Sequence, residues 1–295
     1  MIMNKKLAVT AILSAMISVQ SGASIAKYLF RLLGPAGAVT LRVGLAGIIL
    51  AIINRPKVHL YTRKQWWSII FYGLTIGGMN ISFYYGIQRV PLGVGVTVEF
   101  IGPLTLALLA SRKALDFLWV FLAAAGILMI VPWNSGAGDW LGVMLVAFAG
   151  VVWAFYIIAT GRLAGTMKST DALTCGLLVA AVLSLPFSII SGDLFCLNGK
   201  LLLIGLGVAV FSSILPLFFE LISMNRLTAK TFSVLQSLQP VCAALSGLVF
   251  LGEQLSLMQW CAVFCVIAAS AGATITAPEK ESPAAEKENG TRRGT

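Results

Sequence analysis

The amino-acid sequence predicts an all-α membrane protein with ten transmembrane helices in two inverted five-helix repeats. Three observations support this prediction: a low content of charged residues, ten long apolar segments, and one motif that occurs twice. Of the 295 residues, 58% are hydrophobic and only 11% are charged, whereas about 25% are charged in a soluble globular protein. Because charged side chains are costly inside hydrocarbon, this composition indicates that the chain lies in a lipid bilayer.

A helix that crosses a bilayer needs roughly 20 mostly apolar residues, and ten segments meet this requirement. They lie near residues 7–26, 35–53, 66–87, 91–110, 116–133, 140–160, 172–190, 200–222, 230–251 and 256–275. The connections between them are short and rich in Gly, Pro, Asn and Asp, which are typical of turns. The third and fourth segments, and likewise the ninth and tenth, are separated by only three or four residues.

The basic residues predict the orientation of these segments. With the N-terminus in the cytoplasm, 16 of the 21 Lys and Arg residues fall in cytoplasmic loops or in the C-terminal tail. Four fall in outer loops, namely Lys27, Arg31, Arg89 and Lys200, and Arg42 lies within a span. Cytoplasmic loops of membrane proteins are enriched in Lys and Arg, so the bias supports ten spans with both termini in the cytoplasm. The net charge of +10 is therefore interpreted as a topology signal and not as a nucleic-acid-binding surface.

One motif occurs twice, and the two copies are offset by nearly half of the chain. Arg89 precedes Pro103 at the same spacing at which Arg226 precedes Pro240. The offset indicates that the whole protein is a duplication. Because five spans per half is an odd number, the second half enters the membrane from the opposite side. Inverted repeats of this kind are typical of transporters that work by alternating access.

The duplication also predicts the domain boundaries. Residues 1–133 form the first five-helix repeat and residues 140–276 form the second. The stretch 277–295 is polar and contains Pro, Glu, Lys and Gly, a composition typical of disordered segments. It is predicted to be a disordered cytoplasmic tail.

The two motif prolines predict a polar site near the middle of the membrane. Glu99 lies four residues before Pro103, and Gln236 lies four residues before Pro240. Because proline cannot donate a backbone hydrogen bond, each one frees the carbonyl four residues earlier, which together with the side chain suits an ammonium group. A buried carboxylate at Glu99 must be protonated, hydrated or paired with a cation. The alternative is a pair of packing kinks, with Glu99 bound structurally to Arg42.

Other polar residues within the spans are candidates for a substrate or proton path. Arg42 either extends to the outer surface or binds a substrate carboxylate, Glu99 or Glu220. Glu220 is either a proton-carrying group or an interfacial one, and Asn80 is a hydrogen-bonding group at cavity height. The remaining candidates are polar or aromatic residues on the first, sixth and ninth segments: Gln20, Trp153, Tyr156 and Gln239.

Several function classes do not fit the sequence. The single histidine, His59, lies in a basic loop, and the spacing of the five cysteines matches no zinc pattern. We therefore predict neither a metal site nor a cofactor. No cluster of catalytic residues at one membrane depth supports an enzyme, and no phosphate-binding Gly-rich loop of the ATPase type is present. Transport energy is therefore expected to come from a gradient or from a partner. An inverted repeat with few intramembrane charges favours a carrier over a channel.

The second half carries a family resemblance. Phe250-Leu-Gly-Glu-Gln-Leu255, followed by Gln259, together with a five-span unit that has a Pro in its fourth helix, resembles the EamA repeat of the drug/metabolite transporter superfamily. The first half departs from this pattern, because it has Ser111-Arg112-Lys113 and no Gly-Glu pair. The resemblance covers nearly the whole chain, up to about residue 276.

Further strings are more specific. Gln20-Ser-Gly-Ala-Ser-Ile-Ala-Lys27, Gly77-Gly-Met-Asn80 and Glu99-Phe-Ile-Gly-Pro103 are similar to those of the threonine and homoserine exporters of this superfamily. The resemblance implies a proton-driven exporter of small neutral amino acids in the bacterial inner membrane. Its expected partners are an amino-acid substrate, protons and the lipid bilayer. An efflux carrier for another metabolite or drug-like compound, and a facilitated-diffusion amino-acid carrier, stay open as alternatives. The sequence leaves the oligomeric state open.

Overall fold

The computed structural model describes residues 5–109, 115–130, 137–224, 227 and 229–276, and all regular elements in these ranges are helical. The predicted tail 277–295 and the motif residue Arg226 lie outside the described residues. The α-helices are α1 (Lys5–Asn54), α2 (Arg63–Ile87), α3 (Leu92–Glu99), α4 (Ile101–Leu109), α5 (Leu115–Ile130), α6 (Ala137–Leu163), α7 (Ser169–Ile190), α8 (Gly199–Ala209), α9 (Leu215–Met224), α10 (Ala229–Gln236), α11 (Gln239–Ser246) and α12 (Leu257–Thr276). Two π-helical turns, Val210–Ile214 and Gly247–Leu251, join α8 to α9 and extend α11.

Six helical stretches of the described chain are long and apolar enough to cross a membrane. They are Leu7–Asn54, Trp140–Leu163, Ser169–Ile190, Gly199–Glu220, Thr231–Leu251 and Leu257–Thr276, and shorter apolar helices cover Leu92–Leu106 and Phe117–Met129. An all-helical membrane architecture is therefore confirmed. The number of crossings and the inverted symmetry stay predictions.

Helix α1 contains a sharp break. Gly34 adopts φ 63° and ψ 167°, and Pro35 follows it; a residue with positive φ cannot continue a right-handed helix, and glycine adopts this conformation without steric cost. The sequence places the first two spans at 7–26 and 35–53 with a connection between them. The structure differs, because the helix continues up to the break. Leu29 and Leu33 are almost fully buried, so the additional helical turns contribute to the core.

The helices that carry the two prolines are both interrupted. Helix α3 ends at Glu99 and α4 begins at Ile101, so Phe100 separates them three residues before Pro103. Helix α10 ends at Gln236 and α11 begins at Gln239, and Pro240 is the second residue of α11. In both places proline lacks the N–H that would donate to the carbonyl four residues earlier. The backbone carbonyls of Glu99 and Gln236 therefore lack this helical hydrogen bond.

Helix α6 crosses the α3–α4 interruption at backbone distance. A Cβ atom added at Gly102 would overlap the carbonyl oxygen of Gly150, and one added at Gly150 would lie 2.5 Å from the carbonyl oxygen of Glu99. Small residues allow membrane helices to approach this closely. The carbonyl that Pro103 leaves without its helical partner is thus covered by α6.

Replacing Gly102 with Ala should therefore destabilise the protein, because the new methyl group meets the backbone of Gly150 and not a mobile side chain. We expect a loss of about 1–3 kcal/mol in the free energy of unfolding. The midpoint of thermal unfolding in detergent measures it. Gly207→Ala in α8 is the matched control, because a Cβ there meets no described atom within 4 Å. Equal midpoints for the two variants would contradict this packing.

The contacts between connecting segments show that these segments lie at two ends of the structure. At the end that we call the Lys27 end, Lys27 Nζ donates to the carbonyl oxygen of Val90 over 2.8 Å. The backbone N–H of Gly37 donates to Asp193 Oδ2 over 2.9 Å. The connections around residues 27–37, 88–92 and 191–198 therefore lie together.

The opposite end, which we call the Tyr61 end, joins the connections around residues 54–65 and 163–171. Asn54 Nδ2 donates to Thr174 Oγ1 over 2.9 Å, and the Tyr61 hydroxyl donates to Asp171 Oδ2 over 3.0 Å. Gln65 also caps α2 together with Thr62 and reaches the carbonyl of Thr166. The first three connections, around residues 27–37, 54–65 and 88–92, thus alternate between the two ends, and so do those around residues 163–171 and 191–198.

Candidate functional site

Arg42, eight residues beyond the Gly34 break, is the centre of a hydrogen-bonded cluster. Its Nη1 donates to the Tyr84 hydroxyl over 3.1 Å, its Nη2 to the carbonyl oxygen of Ser212 over 3.3 Å, and its Nε to Ser213 Oγ over 3.4 Å. The guanidinium also lies 5.7 Å from the centre of the Tyr84 ring. Tyr84 comes from α2 and the two serines from the π-helical turn, so two segments hold the Arg42 cation of α1, and all of these hydrogen-bond partners are neutral.

The π-helical turn explains why backbone acceptors are free at this place. The wider turn displaces carbonyl groups from the regular ladder, and such turns occur often at functional sites. Ser18 Oγ donates to the carbonyl of Phe211 over 2.6 Å, and Arg42 uses the next carbonyl, that of Ser212. Within the described chain, Ser212 Oγ is buried and has no hydrogen-bond partner. A Cβ at Gly22 would overlap this hydroxyl.

Tyr84, Ser212 and Ser213 are missed by the sequence-based selection of candidates. The signal that points to the serines is a pair of hydroxyl residues in the middle of an otherwise apolar segment. Their proximity to Arg42, which lies in the other half of the sequence, is visible only in the fold.

Glu99 is buried at the end of α3, with 8% of its surface exposed. Its carboxylate forms no hydrogen bond or salt bridge with any described residue. Arg42 is near enough to interact with its charge through space, but the hydrogen bonds of Arg42 go to Tyr84 and the π-helical turn. No direct contact between described side chains therefore supports the alternative in which Glu99 forms a structural pair with Arg42. A buried carboxylate without a partner requires a proton or a cationic ligand.

Two aromatic residues of α6 line the interrupted helix and its surroundings. The Trp153 ring packs edge-on against Phe100, the residue between α3 and α4, with ring centres 5.3 Å apart. Tyr156 stacks on Tyr72 of α2 at 5.2 Å, and their hydroxyl groups lie 3.4 Å apart. Helix α6 thus contacts Glu99 through Gly150 and the break through Trp153.

A second polar cluster forms around the other proline. Gln236 Nε2 donates to Glu220 Oε1 over 3.4 Å, and Gln239 Nε2 donates to Gln236 Oε1 over 2.6 Å. This chain of three side chains connects α9, α10 and α11. Among the predicted candidates, Arg42 thus lies in one hydrogen-bonded cluster, and Glu220, Gln236 and Gln239 lie in another.

Known proteins resemble this chain over most of its length. The EamA-like transporter family matches residues 140–275. A threonine/homoserine exporter of Salmonella typhimurium, RhtA, is 41% identical over 272 residues, which cover 92% of this chain and 92% of the relative. The chain belongs to the EamA-like transporter family. RhtA of Escherichia coli K12 is 39% identical over the same share of both chains. A solved structure with a TM-score of 0.62 covers 93% of this chain and 98% of its own at 18% identity, and this likeness concerns the fold alone.

Two further candidates of this EamA-like transporter are buried but lie outside both clusters. Asn80 Nδ2 donates to the carbonyl of Ile76, one turn earlier in its own helix, over 2.8 Å. The side chain of Gln20 is almost fully buried and forms no hydrogen bond with the described residues. No hydrogen bond connects either side chain with Arg42 or Glu220 in the described structure.

The described residues contain no candidate metal centre. No group of three or more His, Cys, Asp or Glu side chains is close enough to hold a metal ion in these parts of the chain. The relatives named above are threonine/homoserine exporters. The charged side chains buried in the apolar part of the described chain include a cationic donor group at Arg42 and a carboxyl group at Glu99.

Proposed function

We propose that this EamA-like transporter exports threonine and homoserine across the bacterial inner membrane in exchange for protons. The observation that carries the proposal is the identity of 41% and 39% with two threonine/homoserine exporters over 92% of the chain. The geometry is consistent with it, because a zwitterion needs a cationic donor group and an acidic group. Arg42 and Glu99 are two such groups within the apolar part of the chain, and Glu99 is buried without a described partner.

Ten crossings in two inverted repeats, residues 1–133 and 140–276, are part of the proposal. The two ends of the structure support it. The outer loops predicted from charge are those around Lys27, Arg89 and Lys200, and the contacts of Lys27 and Asp193 bring these connections to one end. In the proposed orientation the Lys27 end faces outward, the Tyr61 end faces the cytoplasm, and both termini are cytoplasmic.

The proposed cycle uses the two charged groups in different ways. In the form open to the cytoplasm, the substrate carboxylate accepts hydrogen bonds from Arg42 and the substrate ammonium binds ionised Glu99. Release to the outside leaves Glu99 without a cation, and a proton from the outer medium then binds there, because a buried bare carboxylate is costly. The protonated form returns and releases the proton to the cytoplasm. One amino acid leaves for each proton that enters at Glu99.

The remaining candidates have supporting roles in the proposal. Trp153 and Phe100 form the wall beside the α3–α4 break, and Pro103 and Pro240 keep both interruptions open. Asn80 and Gln20 are buried amides that a substrate hydroxyl can reach only after a change of conformation. Glu220, Gln236, Gln239 and Tyr156 form the polar path on the cytoplasmic side.

Cells loaded with threonine or homoserine test the substrate. Cells that carry this chain should release both amino acids faster than cells without it, and an uncoupler that collapses the proton gradient should remove the difference. Leucine at equal loading is the control, because its side chain lacks the hydroxyl group. Unchanged release of both hydroxyl amino acids would contradict the proposed substrate and favour export of another metabolite.

A further inference from the structure

A salt bridge joins the two halves of the chain at the Lys27 end. Lys27 Nζ lies 2.6 Å from Glu253 Oε1, and 17% of each side chain is exposed. Lys27 also donates to the carbonyl of Val90 over 2.8 Å, and Glu253 Oε2 accepts from the backbone N–H of Leu92 over 2.7 Å. Charge-assisted hydrogen bonds of this length are among the stronger polar contacts in proteins.

Local structure places Glu253 in this position. The π-helical turn after α11 ends at Gly252, which has φ 68°, a left-handed conformation that favours glycine. The chain reverses there, and the N–H of Glu253 donates to the carbonyl of Gly247 over 3.1 Å. The Gly252-Glu253 pair of the family resemblance thus has a defined role, because the glycine turns the backbone and the carboxylate reaches back to Lys27.

The network connects segments that are far apart in sequence. Lys27 belongs to the first part of α1, and Glu253 belongs to the connection before α12. Val90 lies in the connection between α2 and α3, and Leu92 is the first residue of α3. A cavity of about 230 Å³ adjoins Glu253, lined by Ala244, Leu248, Gln254, Leu255 and Trp260 as well. The Glu253 side chain therefore has space to turn away from Lys27 without displacing a packed core.

We propose that the Lys27–Glu253 pair is an outer latch, which holds the Lys27 end closed and must separate each time the Arg42 site opens to the outside. This inference rests on the proposed function for its orientation. Opening of one end requires the first-half connections to part from the second-half connection, and the pair is the salt bridge that spans them in the described structure. The latch adds Lys27 and Glu253 to the residues that transport needs, although neither contacts the proposed substrate site.

Accessibility of the Arg42 site from outside tests the latch without any substrate. Ser213→Cys places a thiol beside Arg42, and a membrane-impermeant maleimide applied to intact cells reports its exposure. Cys196→Ser and Cys261→Ser remove the two exposed natural thiols. In this background Lys27→Ala should increase the labelling rate by about tenfold, since loss of about 1.4 kcal/mol shifts a two-state equilibrium by that factor. Lys200→Ala, an exposed basic residue at the same end, is the matched control and should leave the rate unchanged.

A charge exchange separates a latch from simple damage to the fold. Lys27→Glu and Glu253→Lys should each raise labelling of Ser213→Cys, and the double variant should return it towards the starting rate. Labelling that is unchanged in both single variants would overturn the latch. If the thiol of Ser213→Cys in the Lys27→Ala variant reacts from the cytoplasmic side and not from the outside, the outer location of the latch is overturned.

The same experiment distinguishes failure of the latch from failure of the proposed function. If the single variants open the site but the unchanged chain releases no threonine, the latch is supported and the substrate is wrong. If threonine export is present and the latch variants neither label faster nor alter export, the latch is wrong and the exporter stands.

Discussion

Replacing Glu99 with Gln should abolish proton-driven export of threonine and homoserine while leaving exchange of one amino acid for another. Glutamine has nearly the same shape and can still accept a hydrogen bond from an ammonium group, but it carries no titratable proton. Because Glu99 is buried without a described partner, the variant removes a charge and breaks no existing contact. Loss of a hydrogen bond to a charged group typically costs about 1.5–3 kcal/mol, so substrate affinity should fall by about 10- to 100-fold.

Two assays on the same vesicles measure these effects separately. Counterflow of labelled threonine against unlabelled threonine measures binding and exchange, and uptake into vesicles with an acidic interior measures proton coupling. Glu220→Gln is the comparison variant, because Glu220 is the other intramembrane carboxylate candidate and accepts only from Gln236 among the described side chains. Loss of coupling in Glu220→Gln and not in Glu99→Gln would assign the proton to the second cluster.

Replacing Arg42 with Lys should weaken threonine binding by about 10- to 100-fold, although the positive charge is kept. The guanidinium directs three donors at three acceptors, Tyr84, Ser212 and Ser213. A lysine side chain is shorter, and its ammonium group lacks the planar fork of the guanidinium. It therefore cannot bind the substrate carboxylate and the π-helical turn at the same time. The apparent affinity in counterflow measures the loss, and the midpoint of thermal unfolding separates it from a loss of fold.

Arg31→Lys is the matched control for Arg42→Lys. Arg31 is exposed and belongs to the segment just before the Gly34 break, so the exchange should leave affinity unchanged. If Arg42→Lys binds threonine as well as the unchanged chain does, Arg42 supports the packing of the π-helical turn and does not bind the substrate carboxylate.

The sequence predicts the helices well because apolar runs of membrane length have one favourable structure in lipid. A segment such as 140–160 must satisfy its backbone hydrogen bonds internally, and it lies within α6 in the structure. The first connection is predicted less well. Gly34 and Pro35 mark the break, but the helical turns before it depend on tertiary burial of Leu29 and Leu33, which a composition-based boundary does not contain.

The candidate site is predictable as a set of residues and not as an arrangement. An isolated Arg42 or Glu99 in an apolar segment is conspicuous because its charge is costly there. Its partners are ordinary serines and a tyrosine. The Ser212 carbonyl is free to accept because the helix widens to a π-helical turn at that point and because Pro216, four residues later, has no N–H to donate to it. Pro216 is a sequence signal for this free carbonyl, but its proximity to Arg42 is visible only in the fold. Lys27 and Glu253 are likewise recognisable as charges near helix ends, but their contact joins the first helix to the last connection of the described chain.

Transport by the purified protein in lipid vesicles is the decisive test of proton-coupled export of threonine. Vesicles with an acidic interior reproduce the outer side of the membrane, so an antiporter should accumulate labelled threonine inside while protons leave. We expect accumulation that unlabelled homoserine inhibits and that an ionophore which dissipates the pH gradient abolishes. Threonine uptake no faster than in protein-free vesicles, at every imposed gradient, would contradict the account.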